Sequence, residues 1–339
     1  MPKFVFFVIT LGMMGGGLAF YGYEQAMKHP EIKVMQAHIK PASMALPDTI
    51  FFCGEVVPTF HADVRKRLDR EIQKHVYHKP STQLLLRRAA KYRRPFQRIL
   101  RQHGVHEDIF YVALAESNLS NAISPKGAKG YWQFMKRTAK EYDLEVNGTV
   151  DERYHPTKST VAAARYFRQA YKKFDNWTLV AASYNMGRTG LSRAIRKQQT
   201  EDYYQLDLNA ETGNYLYRIL GIKLALENPE LLGIPVPNDM GNEDEDLEEL
   251  ELLDDIENLE AFAMALGTNL KTLKVHNPWL ISDHFIAKPG KIYKIHLPIS
   301  ETSEELEMLS NQVTEEPNDM SSQSNVKLAL AKVGSISND

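Results

Sequence analysis

The chain has 339 residues, 43% of them hydrophobic and 25% charged, enough for one domain of roughly 150–200 residues with smaller pieces around it. The single cysteine, Cys53, excludes an intrachain disulfide framework and a cysteine-based metal site, and reads as a buried apolar side chain. The formal net charge of −2 conceals a basic stretch over 61–101 and an acidic one, Asp239–Glu257, with eleven acids and no Lys or Arg.

Phe4–Tyr23 is nearly all apolar behind Lys3. Two readings stand for residues 1–23. One is a signal peptide cut near Gly17-Leu18-Ala19; the other is an uncleaved anchor, since about 20 apolar residues span a bilayer. Either takes the chain out of the cytoplasm. The basic stretch is therefore read as solvated helix faces with some attraction to an anionic wall polymer, and no nucleic acid is expected as a partner. Residues 24–60 are interrupted by proline and show little periodicity, so they read as a linker.

From 61 to 232 the pattern is helical throughout. His61–His78 places Val64, Leu68 and Ile72 on one face; Ser81 opens a second helix, and Pro95 is expected to break it before Phe96–His103. Phe110–Ala115 is apolar on every side, as in a buried helix, and stops on an acid, Glu116. A carboxyl there is partly desolvated and faces the negative end of the helix dipole. Both effects raise its pKa. An acid kept protonated near neutral pH is what the leaving oxygen of a glycosidic bond needs.

A loop of small and polar residues follows (Ser124, Pro125, Gly127, Ala128, Gly130), then a short helical run expected over Trp132–Met135. Thr138–Leu144 and Ser159–Phe174 read as helices on either side of a turn at Asp151–Arg153. Trp177–Asn185 is again almost wholly apolar and ends in Tyr184-Asn185; Glu211–Leu226 is the last helix of the domain. Two buried helices thus end in polar residues, and those ends could meet at a cleft. Asp143, Asp151 and Glu152 read as surface or ion-pair residues.

Residues 233–246 read as an acidic linker. Over 247–299, Leu250 and Leu252 suggest a strand, Leu259–Leu266 a helix, Leu270 and Leu273 a second helix capped by Thr268, and alternating Tyr293, Ile295 and Leu297 a closing strand. That is a βααβ order. Residues 300–339 lack the apolar content to fold and read as a disordered tail. The eleven histidines are scattered without an HExxH pairing, and no phosphate-binding glycine loop is present, so no metal or cofactor is predicted.

Five blocks together resemble a known family: Glu116-Ser117, Ser124-Pro125-x-Gly127-Ala128-x-Gly130, Trp132-Gln133-Phe134-Met135, Ala182-Ser183-Tyr184-Asn185-x-Gly187, and Glu211-Thr212-x-Asn214-Tyr215-Leu216. In that order and near that spacing they are similar to the lytic transglycosylases of lysozyme-like, goose-type fold. The βααβ unit resembles a LysM peptidoglycan-binding module. The resemblance implies a mainly α protein, with a lysozyme-like helical catalytic domain over 61–232 and a small LysM-like module over 247–299.

The implied substrate is the peptidoglycan glycan strand, cut between N-acetylmuramic acid and N-acetylglucosamine to leave a 1,6-anhydromuramic acid end. Glu116 would be the single acid and base, aided by the substrate's own acetamido group, outside the usual two-carboxylate pattern. Ser117 and Ser124 would bond the acetamido group or the loop backbone, Gln133 the sugar, Tyr184 and Asn185 would line the cleft, and Tyr215 would tune Glu116. The implied location is the periplasm or cell envelope, with other cell-wall enzymes as further candidate partners and the membrane as one if residues 4–23 are retained. Two alternatives remain at this point: a hydrolytic muramidase, and a non-catalytic peptidoglycan-binding protein.

Overall fold

The computed structural model describes residues 47, 49–238 and 247–298, all within the unit Pro47–Asp339. Residues 1–23, expected as a signal peptide or anchor, residues 24–46 and 48 of the expected linker, residues 239–246 of the expected acidic linker, and residues 299–339 with the expected tail lie outside the described residues. No helix among the described residues is long and apolar enough to cross a membrane.

The end of the expected linker is folded. Ile50–Phe52 (β1) and Glu55–Val57 (β2) pair antiparallel, Ile50 opposite Val57, around Cys53-Gly54. Both turn residues have positive φ, 52° and 80°, the geometry that lets a two-residue loop follow the strand twist. Ile50, Phe52, Cys53 and Val57 are buried, whereas Phe51 and Val56 face out. The hairpin is tied to distant chain: Glu55 accepts from the backbone N–H groups of Trp177 and Thr178, and Cys53 N donates to Asp108. The sequence pattern misses it because each strand has three residues, too few to show a period.

Ala62–Tyr77 (α1) buries Val64, Leu68 and Ile72 as its spacing predicts. Lys79–Gln102 (α2) starts two residues before Ser81, with Pro80 in its first turn, and runs through Pro95 without ending. A proline inside a helix removes one backbone bond and costs ~3 kcal/mol. Here Leu85, Leu86 and Ala89 before it and Phe96, Ile99 and Leu100 after it are buried on one face, and that burial outweighs the loss.

Phe110–Ser117 (α3) follows a 3₁₀ turn at Glu107–Ile109; Phe110 through Leu114 are fully buried. Asn118, left-handed at φ 52°, stops the helix by returning its N–H to Leu114. Then come Lys136–Glu141 (α4), a 3₁₀ turn at Glu152–Tyr154, Pro156–Phe174 (α5), Trp177–Met186 (α6), Arg188–Gln198 (α7) and Ala210–Glu227 (α8). The side chain of Asn176 caps α6 and that of Asn209 caps α8. Helix α7 was not anticipated. Its one buried residue is Leu191, so it carries almost no apolar stripe to read.

In the C-terminal module Leu247–Leu252 (β3) pairs antiparallel with Tyr293–Pro298 (β4), Leu250 opposite Ile295. Leu259–Ala265 (α9) and Leu270–His276 (α10) lie between them in sequence, which is the expected βααβ order. The cap of α10 is Asn269 rather than Thr268. Leu259, Phe262, Leu273, Trp279, Phe285 and Tyr293 form its core, and Val150 and Tyr154 of the helical domain join the same cluster.

Candidate active site

Glu116 sits in the last turn of α3, where the chain leaves the core. Burial pushes its carboxyl above the ordinary carboxylate range. A hydrogen bond from Tyr215 and the nearby Arg218 charge pull the other way without reversing the shift, and the Glu211 charge adds to it. The Tyr215 hydroxyl donates to Glu116 Oε1, and the Arg218 guanidinium lies 5.2 Å from the centre of the Tyr215 ring. Tyr215 is fully buried in α8. One turn of that helix thus presents a neutral donor to the acid with a cation behind it.

The end of α6 arrives from another side. Tyr184 stacks on Phe167 at 4.7 Å and donates its hydroxyl to the Trp132 carbonyl at 2.6 Å. Its phenol is held far above its ordinary range, first by burial and then by the charge of Glu116. Asn185 bridges to α8, donating to Glu211 at 3.0 Å and accepting from Thr212 Oγ1 at 2.8 Å. The ends of α3 and α6 and the start of α8 therefore meet at one site.

The loop after α3 closes the site, with a different shape from the one expected. Trp132–Met135 is not helical: Gln133 has φ 49°, its N–H bonds Gly130 O, and Lys129 N bonds Phe134 O. Trp132 is fully buried, donates to Thr160 Oγ1 at 3.0 Å and stacks on Phe96 at 5.9 Å. That anchor sets the turn, and local propensity does not report it. Gly130, at φ 77°, lies so close to the chain that an added Cβ would sit 1.9 Å from the Arg153 carbonyl oxygen. Only glycine fits there.

Of the residues expected to bind substrate, Ser117 and Ser124 serve the loop itself. The buried Ser117 hydroxyl faces Ala113 O at 3.1 Å and Tyr131 O at 2.7 Å, while Ser124 Oγ accepts from Ala128 N at 3.0 Å. Both amide hydrogens of Gln133 are taken up by carbonyls, Ala122 at 3.0 Å and Gly130 at 2.9 Å.

Arg153 was missed by sequence reasoning. It is buried, forms a two-pronged pair with Asp151 (2.8 and 2.7 Å), and donates to the carbonyls of Gly127 and Phe134 at 3.1 Å each. Arg218 was missed too, although its place one turn beyond Tyr215 on the same helix was a usable signal. Asp151 and Glu152 are ion-paired as expected but buried rather than superficial; Asp143 is exposed and pairs with Arg165. Elsewhere, Cys53, His106 and Asp108 bring ligand-type atoms within 4.8 Å of one another. The Lys223 ammonium is already 2.8 Å from Asp108, and His106 Nδ1 accepts from Asp108 N, so the aspartate and the imidazole are engaged without a metal ion.

Residues 95–206 match the family model described as the transglycosylase SLT domain. The chain carries an SLT-type domain. Residues 248–301 match a second model, the soluble lytic transglycosylase C-terminal LysM-like domain. Over 217 residues the chain is 26% identical to the protein named membrane-bound lytic murein transglycosylase D of Escherichia coli strain K12, and equally to its counterpart in strain O6:H1. The match takes in 62% of this chain and 47% of each relative, so the chain spans about half the length of the curated relatives it matches. An inactive mutant of lytic transglycosylase Slt from Pseudomonas aeruginosa is a structural neighbour at 21% identity and TM-score 0.32, over 43% of this chain and 25% of that one. The SLT-type domain is mainly helical and is followed by the small βααβ LysM-like module. The match ends at 206, before Tyr215, so the geometry and not the family model joins that tyrosine to Glu116.

Proposed function

We propose that the chain is a lytic transglycosylase of peptidoglycan in which Glu116 is the single acid and base. The observation that carries this reading is a carboxyl at the end of an all-apolar helix, its pKa raised by burial and addressed by a tyrosine hydroxyl, inside an SLT-type domain. In the first step Glu116 gives its proton to the glycosidic oxygen leaving C1 of N-acetylmuramic acid. The substrate's acetamido oxygen stabilises the positive charge at C1. In the second step the Glu116 carboxylate takes the proton of the C6 hydroxyl, whose oxygen attacks C1 and closes the 1,6-anhydro ring. One group serves both steps, so its pKa must lie where both forms are accessible. Tyr215 and Arg218 support this by favouring the carboxylate that burial disfavours.

The apolar Phe4–Tyr23 and the membrane-bound relatives support an envelope location, facing the wall polymer. Hydrolysis is the second reading, favoured by one observation: Glu211 is near enough to raise the Glu116 pKa and could orient a water. Mass spectrometry of products released from purified peptidoglycan separates the two. Anhydro ends, lighter by one water than reducing ends, are expected; reducing ends would replace the proposal with a muramidase, and no cleavage by folded protein would leave a binding role.

A further inference from the structure

The C-terminal module is docked on the helical domain through buried charge. Glu145 and Glu152, 5% and 1% exposed, stand side by side at the contact. The module's Lys291 places its ammonium 2.7 Å from Glu145 and 2.8 Å from Glu152, and Tyr293 donates to Glu145 at 2.8 Å. Lys158 of α5 completes the set at 2.7 Å from Glu152. The backbones join as well: Asp151 N donates to Trp279 O at 3.0 Å and Ile281 N to Thr149 O at 3.1 Å. His155 stacks on Trp279 with ring centres 6.1 Å apart.

The gripped segment is the one that holds the active-site loop. Asp151, whose N–H the module receives, orients Arg153 with its carboxylate, and Arg153 holds the carbonyls of Gly127 and Phe134. The carbonyl of Arg153 is the atom against which Gly130 packs. That loop carries Gln133 and is bonded to Ser117, next to Glu116. A series of hydrogen bonds therefore runs from Trp279 through Asp151 and Arg153 to the loop beside the acid, and Lys291 holds Glu152, which lies between Asp151 and Arg153 in the chain.

We propose that the LysM-like module is a positioning element of the active site, with Lys291 and Tyr293 setting the Glu145–His155 segment and, through Arg153, the Gly127–Phe134 loop. The inference rests on the catalytic reading above for its kinetic consequence. A module that only tethers the protein to the wall would affect insoluble substrate alone. A positioning module affects any substrate, because misplacing a binding loop by an ångström costs up to about a hundredfold in rate.

The test uses the full chain and soluble muropeptide oligosaccharides too short to profit from tethering. Lys291→Met is expected to lower kcat on these fragments about tenfold or more, to speed amide hydrogen exchange over 127–134, and to be rescued by Lys291→Arg. Should Lys291→Met lose its helical signal, Tyr293→Phe, which deletes one hydroxyl, is read in the same assays. Wild-type kcat and unchanged exchange in the folded variant, with weaker pelleting on insoluble wall, would overturn the proposal and leave a tether. If the wild type cleaves no glycan the catalytic reading fails, and exchange over 127–134 still decides whether the module holds the loop.

Discussion

Glu116 and Glu152 are both carboxyls withdrawn from water, yet their pKa values move in opposite directions. Glu116 meets a neutral hydroxyl donor and only the more distant charge of Arg218, and burial prevails. Burial alone would raise Glu152 as well, but hydrogen bonds from Lys158, Lys291 and the Glu145 backbone hold it below the usual carboxylate range. Desolvation raises the pKa in one place, where the proposed mechanism would use it, and is cancelled by two ammonium groups in the other. The proposal gives the first group a proton to pass; the second is an ion-paired contact between the helical domain and the module.

The sharpest way to break this contrast is to remove the acid. Glu116→Gln keeps shape and Tyr215 but has no proton to give, and should lower kcat by about 10²- to 10⁴-fold. Because a buried carboxyl with a raised pKa opposes folding once it ionises, the same change should leave Tm unchanged or slightly higher at pH 7. A folded variant that still cleaves glycan would remove Glu116 from the role.

On the ion-paired side, Arg153→Met strips the buried Asp151 of its guanidinium and frees two loop carbonyls. A loss of about 3–5 kcal/mol is expected from denaturant unfolding, as for a broken buried pair. A midpoint within experimental error of wild type would show that the loop does not need Arg153.

Tyr215→Phe sharpens the comparison more gently. The hydroxyl favours the Glu116 carboxylate, so its removal should push the Glu116 pKa further up. The basic limb of the kcat/KM profile should move to higher pH; a limb that moves down would contradict the assignment.

The smallest effect concerns pH and the docked module. Burial against Trp279, with Lys158 nearby, lowers the pKa of His155 to about 3, so its neutral form is the one the fold holds. The unfolded imidazole takes up a proton below about pH 6.5, and stability falls by up to about 1.4 kcal/mol per unit from there toward pH 3. The depressed Glu152 acts in the same direction: its contribution is present above the ordinary carboxylate pKa and is lost as pH falls through its folded value. Calorimetric Tm should drop between pH 7 and 5, and less so in His155→Gln. A Tm that rises over this range would count against the interface as described.

Much of the site could be read from local pattern. An all-apolar helix must be buried, so Glu116 and Tyr184-Asn185 had to emerge where such helices end, and alternation over Tyr293–Leu297 marked the closing strand. Other features resisted because their causes are distant in sequence. Pro95 stays helical through the burial of Phe96, and the 50–57 hairpin is held by Asp108 and by the start of α6. Of the two partners expected for Ser117 and Ser124, the loop backbone is the one they take here, and the form of that loop depends on Trp132 reaching Thr160.

By itself, then, the order of residues determined where the acid stands and what surrounds it along the chain, since helix period and apolar runs are properties of neighbours. Which carboxyl is raised and which is lowered belonged to the tertiary structure. Glu116 meets Tyr215, and Glu145 and Glu152 meet Lys291, only when segments far apart in sequence pack together. A pKa is the sum of the burial and charges that packing brings within reach.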